Sequence, residues 1–341
     1  MAEGSSGAGS KVPMVATGRE SWIALGALIL FAACLPEFLT GSTFVQVALL
    51  HPLGFAQLVG LYGGGALVIR EVTVRWNKRW ASVLLLGGVY AIVEEGYGTR
   101  NMMDPTGSNV GTYDLFSHWL GINWIPFVPV TLFHAVFSIA FMILLVELLF
   151  PATRGKRLVG NAGLAGAFVA LGLASTTMAI AEPYIPSWPV IAFFAALSLT
   201  YVVVAYLVPR DLLSSKSLRP DCPEWMFFVV GASFVAEVFL LIIGPHSLPA
   251  AVLVGFFCAS ALLFLYLLVR YTGRDHNEVR KIDFCLGMVG FMVPIDIIAT
   301  LTGDLGVLVV TALALALLLY LRKMWTASST WWQAHSPRAG L

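Results

Sequence analysis

Charged side chains are scarce in this sequence: Asp, Glu, Lys and Arg make up only 11% of its 341 residues, against about a quarter in a water-soluble domain. A water-soluble fold is therefore excluded. Hydrophobic residues make up 58% of the chain. Apolar runs of at least about 18 residues, enough for a helix to cross a hydrocarbon core of roughly 30 Å, recur along it. These features predict an all-α, polytopic transmembrane helical bundle with the lipid bilayer as its partner.

Two further absences narrow the function. The four cysteines show no CxxC spacing, which argues against a disulfide framework or a thiolate metal site. The twenty basic residues are dispersed among short loops and the formal net charge is +1, so nucleic-acid binding is not expected. Residues 1–20 lack an apolar core and predict a flexible cytoplasmic tail rather than a signal peptide.

Apolar windows predict about ten membrane-spanning helices. The windows are residues 22–40, 45–69, 80–98, 124–149, 158–180, 188–208, 226–243, 249–269, 284–302 and 305–321. Together they predict one transmembrane domain over residues 21–322, followed by a cytoplasmic tail over residues 323–341. The long polar connection at residues 99–121 is either a functional loop or an exposed loop without a role.

The basic residues predict the orientation of the bundle. Nineteen of the twenty lie between alternate windows or near the termini, and only Arg100 lies on the opposite side. Because Lys and Arg collect in cytoplasmic loops, both termini are expected in the cytoplasm. We expect a prokaryotic cell membrane as the location, and the sequence leaves the oligomeric state open.

Ionisable residues inside membrane helices cost about 2.5 to 3.5 kcal/mol each on insertion scales, so they usually mark a site or a structural pair. Arg70, Glu71 and Glu147 fall at predicted cytoplasmic helix ends, where ion pairing or snorkelling explains them. The remaining candidates are Glu37, Glu94, Glu95, Glu182, Glu237 and Asp296, with Arg100, His134 and His246 as possible counter-charges. The alternative is that each carboxyl is neutral and hydrogen-bonded to a neighbouring helix.

The adjacent pair Glu94-Glu95 is the strongest signal, because two carboxylates in apolar surroundings cannot both ionise cheaply without a cation. One carboxyl could ligate a metal while the other acts as general acid or base. His134 shares a helix face with Thr131 and Ser138. It is therefore either a metal ligand or a histidine that bridges two helices.

Two prolines and a glycine run add weaker signals. Glu37 follows Pro36, and Asp296 follows Pro294, so both acids stand where a bent helix can line a cavity. The glycines at residues 63–65 predict close helix packing rather than a phosphate cradle, because no Walker-type Lys follows them.

The segment AIVEEGYGTR at residues 91–100, followed by TLFH at residues 131–134, resembles a group of prokaryotic multi-pass proteins with a VEEG helix and a later histidine helix. More remotely it resembles the CAAX-protease and bacteriocin-processing family of intramembrane metalloproteases. The resemblance implies that Glu94 and Glu95 match the family's acidic pair and that His134 matches its first histidine. Such residues activate water and bind the metal in that family. Arg100 lies one residue further along than in the family pattern, and no His-x-x-x-Asn follows.

The first functional hypothesis is therefore an intramembrane metal-dependent hydrolase with a membrane-embedded peptide or lipid substrate. In it His134 and Glu95, helped by Glu37, hold a metal such as Zn²⁺, and Glu94 moves the proton. A catalytic zinc uses three protein ligands and an open position.

Two alternatives stay open. One is a proton- or cation-coupled secondary transporter in which Glu94, Glu95, Glu237 and Asp296 bind the ion or a cationic substrate. The other is a metal-free, acid-catalysed isoprenoid or lipid enzyme with a carbocation shielded by aromatic side chains. The aromatic candidates are Tyr97, Trp119 and Trp124.

Overall fold

The computed structural model describes residues 18–106, 116–213, 222–243, 247–271 and 278–335, and these ranges form a helical bundle with one short hairpin. The helices are α1 (Arg19–Leu39), α2 (Val45–Leu50), α3 (Pro52–Arg75), α4 (Trp80–Ala91 continued by Ile92–Gly98), α5 (Trp124–Leu149), α6 (Asn161–Ala181), α7 (Trp188–Leu207), α8 (Trp225–Ile243), α9 (Ala250–Tyr271), α10 (Glu278–Leu301) and α11 (Val307–His335). The predicted all-α membrane bundle is confirmed.

Nine helices in these ranges are long and apolar enough to cross a membrane, and α4 is not one of them. Two glutamates reduce the hydropathy of α4, yet it runs alongside its neighbours, and Tyr97 is its one exposed residue. Lys78, just before α4, donates a hydrogen bond to the carbonyl of Val208 after α7 (2.8 Å). Arg100, just after α4, reaches the end of α6. The described ranges therefore contain nine helices that could cross a membrane, against ten windows in the sequence, and α4 is the helix that accounts for the difference.

Most of the basic clusters of the sequence meet at one end of the bundle. Arg75 of α3 bonds to Asn161 of α6 (2.7 Å), and Arg154, between α5 and α6, bonds to Glu278 at the start of α10 (2.8 Å). We call this the basic end, defined by residues 70–80, 150–161, 208–211, 222–225, 278–283 and 322. The far end is defined by residues 37–46, 96–106, 117–126, 179–190 and 302–307. Helix α1 begins toward the basic end, and α11 runs back to it.

The single helix predicted over residues 45–69 is interrupted in the structure. Proline has no N–H group and disfavours the helical conformation in the residue before it. Accordingly His51 leaves the helical region (φ −118°, ψ 82°), and Pro52 begins α3. The short helix α2 therefore lies at the far end as a separate element.

Helix α11 extends to His335, well past the predicted end at residue 321 and into the predicted tail. The drop in hydropathy after Leu321 does not end the helix, because no glycine or proline follows until Pro337. Arg322 also fixes this part of α11 by bonding to Asp283 of α10 (2.6 Å). Loss of apolar character therefore marks the edge of the membrane region and not the end of the helix.

The three glycines of α3 each face a different helix, which confirms the packing interpretation. A Cβ at Gly63 would lie 2.8 Å from Cγ2 of Ile29 in α1, and one at Gly64 would lie 3.3 Å from a carbonyl oxygen of α6. A Cβ at Gly65 would overlap the ring of Tyr90 in α4. Small residues let helix backbones approach closely in a membrane, so α3 sits at the centre of this group.

The connection between α4 and α5 is anchored across the far end. Residues 107–115 lie outside the described ranges. After them, β1 (His118–Trp119) pairs antiparallel with β2 (Ile122–Asn123). The amide of Asn123 donates to the carbonyls of Asn101 (2.8 Å) and Asp104 (2.7 Å). These bonds hold the segment that follows α4 against the start of α5.

Candidate metal centre

The structure brings together Glu94 and Glu95 of α4 and His134 of α5, which we call the Glu-Glu-His cluster. Each residue offers one ligand atom, and the three atoms lie within 4.8 Å of one another. Glu94 and His134 are buried, and Glu95 is half-buried. In the described part of the chain this is the one group of three or more His, Cys, Asp or Glu residues that could hold a metal ion.

The imidazole ring lies between the two carboxylates. His134 Nδ1 is 3.2 Å from Glu94 Oε2, and Nε2 is 3.3 Å from Glu95 Oε1. Adjacent glutamates on one helix thus reach opposite sides of the same ring. This arrangement encloses the ring from two directions.

Three stretches of π-helix surround the cluster. Two of them carry its residues, and the third carries a tyrosine that lies beside it. Ile92–Gly98 carries the two glutamates, His134–Ala140 carries the histidine, and Val59–Gly63 carries Tyr62. The wider turn is visible in the bond from the Thr99 amide to the Glu94 carbonyl (2.8 Å), five residues back. Single π-helical turns inside α-helices occur frequently at functional sites, because they displace the side chains that they carry.

Neighbouring polar groups fix the orientation of two cluster members. Glu95 Oε2 accepts hydrogen bonds from Thr99 Oγ1 (2.9 Å) and Asn101 Nδ2 (2.6 Å). Ser138 Oγ lies 3.1 Å from His134 Nδ1, within hydrogen-bonding distance. Groups that orient metal ligands in this way are a regular part of metal sites.

The charges and donors of the cluster fit a bound cation. Glu94 Oε2 is buried and, among the described residues, receives no hydrogen bond, since its short distance to His134 Nδ1 lacks hydrogen-bond geometry. A buried carboxylate oxygen without a donor is energetically costly. Two carboxylates and one imidazole are oxygen and nitrogen donors of the kind that Zn²⁺ accepts, and three protein ligands leave a further position open.

Glu37, which the sequence predicts as a metal ligand, lies beside the cluster and is not part of the group that could hold the ion. Its Oε1 accepts a hydrogen bond from the Tyr62 hydroxyl, and its Oε2 accepts one from Thr43 Oγ1 (2.5 Å). The rings of Tyr62 and His134 are stacked, with centroids 6.3 Å apart. The third potential ligand is therefore Glu94, and Tyr62 connects Glu37 to the cluster.

All of these acids open onto one cavity of about 590 Å³, which lies within the range of roughly 300 to 1,000 Å³ for ligand pockets. The apolar part of its wall includes Leu58, Leu61, Val130, Phe133, Val238, Phe239 and Ile242. Its polar rim, near α2 and the start of α3, is formed by Thr40, Ser42, Thr43, His51 and Gln57. The cavity thus gives the cluster access to a ligand from the far end.

Arg100 is not brought to the carboxylates. Its guanidinium donates to the backbone carbonyls of Ala179 (2.7 Å), Glu182 (2.9 Å) and Tyr184. The last carbonyls of a helix have no partner within it and carry the negative end of the helix dipole. Arg100 therefore caps α6, and Glu182 takes part through its backbone.

Glu237 and Asp296 also lie apart from the cluster, and neither lines the cavity. Ser260 of α9 donates to Glu237 (2.5 Å), and Thr311 of α11 donates to Asp296 (2.5 Å). For these two acids the structure shows the hydrogen bond between neighbouring helices that the sequence leaves open as the alternative. His246 lies outside the described residues.

Sequence reasoning did not single out Tyr62, Thr43 and Asn101, which contact the predicted acids. Tyr62 had one usable signal, a hydroxyl-bearing residue directly before the glycine run. Asn101 and Thr43 stand in connections, where polar residues are ordinary. The contact of Ser138 with His134 agrees with the predicted polar stripe, whereas Thr131 donates to the carbonyl of Phe127 (2.6 Å).

Comparison of this chain with protein-family models, with curated proteins and with solved structures finds no match.

Proposed function

We propose that this protein is a metal-dependent hydrolase that cleaves its substrate within the membrane. The observation that carries the proposal is the set of three ligand atoms, from Glu94, Glu95 and His134, within 4.8 Å of one another on the wall of a cavity. Three protein ligands with an open position are typical of catalytic zinc sites. The π-helical distortion of all three helices at this depth is a second argument for a functional site.

Glu94, Glu95 and His134 would hold the ion. A bound divalent metal supplies a Lewis acid that polarises the carbonyl group of the substrate. Thr99 and Asn101 hold the Glu95 carboxylate in place, and Ser138 holds the imidazole of His134. A site with its ligands oriented in advance loses little free energy to reorganisation when the reaction begins.

Glu37 is the proton carrier in this proposal, the role that the sequence suggests for Glu94. It lines the same cavity, it is outside the ligand group, and the Tyr62 hydroxyl orients its carboxylate. Water attacks the carbonyl carbon and gives one proton to Glu37. The bond from that carbon to the leaving group then breaks, and Glu37 returns the proton to the leaving group.

The metal content of the purified protein tests the proposal. We expect about one zinc or similar divalent ion per chain by elemental analysis in detergent, and its removal by a strong chelator. Glu237→Gln is the control for the loss of a carboxylate from the cluster. Glu237 is also a half-buried membrane carboxylate, but it is bonded to Ser260 and lies outside the cluster, so this variant should retain the ion. A folded wild-type protein that holds no metal after incubation with zinc, iron or manganese would contradict the proposal.

The two alternatives receive less support from the arrangement of the residues. The cavity wall includes Glu94 and Glu95 but neither Glu237 nor Asp296, so it does not join the four acids of the transporter hypothesis. The aromatic side chains of the acid-catalysis hypothesis are also outside it: Tyr97 is exposed, and Trp119 stacks on Trp124 near the hairpin. Substrate movement without turnover would favour the transporter, and turnover resistant to chelators would favour acid catalysis.

We also propose that the basic end faces the cytoplasm, as the distribution of Lys and Arg predicts. A reporter fused after residue 110 should then be active on the outer side, and one fused after Asp211 on the cytoplasmic side. The reverse pattern would place the Glu-Glu-His cluster in the inner half of the membrane.

A further inference from the structure

The polar groups of the cavity are concentrated in two places. One is formed by Glu37, Tyr62 and the Glu-Glu-His cluster with its neighbours Thr99, Asn101 and Ser138, and the other is the rim near α2. The wall that continues from them, built from α3, α5 and α8, is apolar: Leu58 and Leu61, Val130 and Phe133, and Phe239 lie along it. A ligand that fills this cavity must therefore be polar at limited points and apolar along the rest of its length.

The rim exposes both apolar and polar side chains. Leu49 (71% exposed), Leu50 (75%) and Leu53 (88%) project outward from α2 and the start of α3, while Ser42 and His51 on the rim are exposed polar residues. Short helices with exposed leucines beside polar groups are typical of elements at the membrane–water interface. The mouth of the cavity therefore opens at the level where lipid head groups meet acyl chains.

A peptide fits this cavity poorly. Every residue of an extended peptide brings an N–H and a C=O group, and each needs a hydrogen-bond partner inside a membrane. The apolar wall offers side chains such as Leu61, Val130 and Phe239, which have no such partners. A lipid with a single polar linkage needs partners only at that linkage and at its head group.

We infer that the substrate class is a lipid-like amphiphile that carries an apolar chain joined to a polar head through a hydrolysable carbonyl linkage. It enters sideways from the leaflet at the far end. Its chain lies along Leu61, Phe133 and Phe239, its linkage reaches the Glu-Glu-His cluster, and its head group stays at the rim. This inference rests on the proposed hydrolase function for the cleavage step, but lipid entry is testable without it.

The test is photo-crosslinking in liposomes with a phosphatidylcholine that carries a diazirine in one acyl chain. The readout is label on Phe133 and His134 within the α5 peptide of residues 130–138, because both side chains are buried and line the cavity. Label on α9 serves as the internal reference, because few residues of that helix are buried in the bundle. Label on both peptides is the expected result for the wild type.

Ile242→Trp and Leu240→Trp form a matched pair on α8. Ile242 lines the cavity, whereas Leu240 is 66% exposed and is not part of the cavity wall. Ile242→Trp should lose the α5 label and keep the α9 label, and Leu240→Trp should keep both. Wild-type protein with α9 label alone would overturn the inference. So would α5 label that appears only from a benzophenone-bearing transmembrane peptide, because the substrate class would then be peptide.

His134→Ala separates this inference from the proposed function. If the wild type binds no metal but the α5 peptide is labelled in both proteins, the lipid site stands and the hydrolase proposal fails. If the metal is present and lost in His134→Ala, while no α5 label forms in the wild type, the hydrolase proposal stands and the lipid inference fails.

Discussion

His134→Ala should lower the affinity of the protein for its divalent metal by more than roughly a hundredfold, the upper end of what loss of an orienting neighbour usually costs. The imidazole is the only nitrogen donor of the cluster, and its removal leaves the Glu94 and Glu95 carboxylates facing each other across an empty space. Glu95→Gln should have an effect of similar size, because it removes a negative charge from the ligand set and keeps the shape of the side chain.

Ser138→Ala should have a graded effect, about ten- to a hundredfold, because Ser138 contacts His134 and not the ion. Titration of the metal-free protein against a chromophoric zinc chelator measures all of these affinities on one scale. Thr131→Ala is the control on the same helix, since its hydroxyl bonds to the Phe127 carbonyl. Equal losses for Ser138→Ala and Thr131→Ala would indicate a general disturbance of α5 and would contradict the orienting role.

Much of the cluster could be predicted because a membrane makes ionisable residues conspicuous. Each costs free energy in lipid, so Glu94, Glu95 and His134 stand out in apolar windows without any structural knowledge. The helices were predictable for the same reason, since a run of apolar residues of sufficient length has few other uses. Hydropathy failed at Pro52 and after Leu321, where backbone chemistry and not polarity decides how far a helix continues.

The arrangement within the site was not predictable from the sequence. Regular helix geometry turns adjacent residues about 100° apart, so it does not anticipate that Glu94 and Glu95 reach the same ring. The π-helical turns that bring this about have no residue signature in the chain. Arg100 had the right charge to compensate the acids, but the carbonyls at the end of α6 bind it instead. Charge predicts a need for partners, and tertiary structure selects them.

Arg70→Ala should destabilise the fold by up to about 3 kcal/mol, because it removes the nearer of the two cations beside the buried Glu71 carboxylate and leaves only Arg75, whose Nη2 lies 3.6 Å from Glu71 Oε2. Arg70 is 1% exposed and Glu71 is 0% exposed, and Arg70 Nη1 lies 3.0 Å from Glu71 Oε1. Arg70 Nη2 also donates to the carbonyl of Thr153 (2.8 Å), and the amide of Leu158 donates to Glu71 (2.6 Å). The pair thus joins α3 to the connection between α5 and α6. Of the two explanations that the sequence offers for these charged residues, ion pairing and snorkelling, the structure shows ion pairing.

Reversible unfolding in mixed micelles measures the effect, with Arg79→Ala as the control. Arg79 is 55% exposed and lies 3.9 Å from Asp211, which is 71% exposed, so its removal should change stability by less than about 1 kcal/mol. A loss for Arg70→Ala no larger than for Arg79→Ala would show that the buried pair contributes little.

A double variant, Arg70→Met with Glu71→Met, separates the cost of removing one member of the buried pair from the value of the pair itself. Replacing both members of a buried ion pair by apolar residues of similar volume is often neutral or stabilising. We therefore expect the double variant to unfold at a higher denaturant concentration than Arg70→Ala.

Since α3 also carries Tyr62, metal affinity should follow stability across the series: Arg70→Ala should weaken metal binding only under conditions where it also loosens the fold. A weakened affinity in a fully folded Arg70→Ala protein would instead mean that α3 transmits a change from the basic end to the Glu-Glu-His cluster.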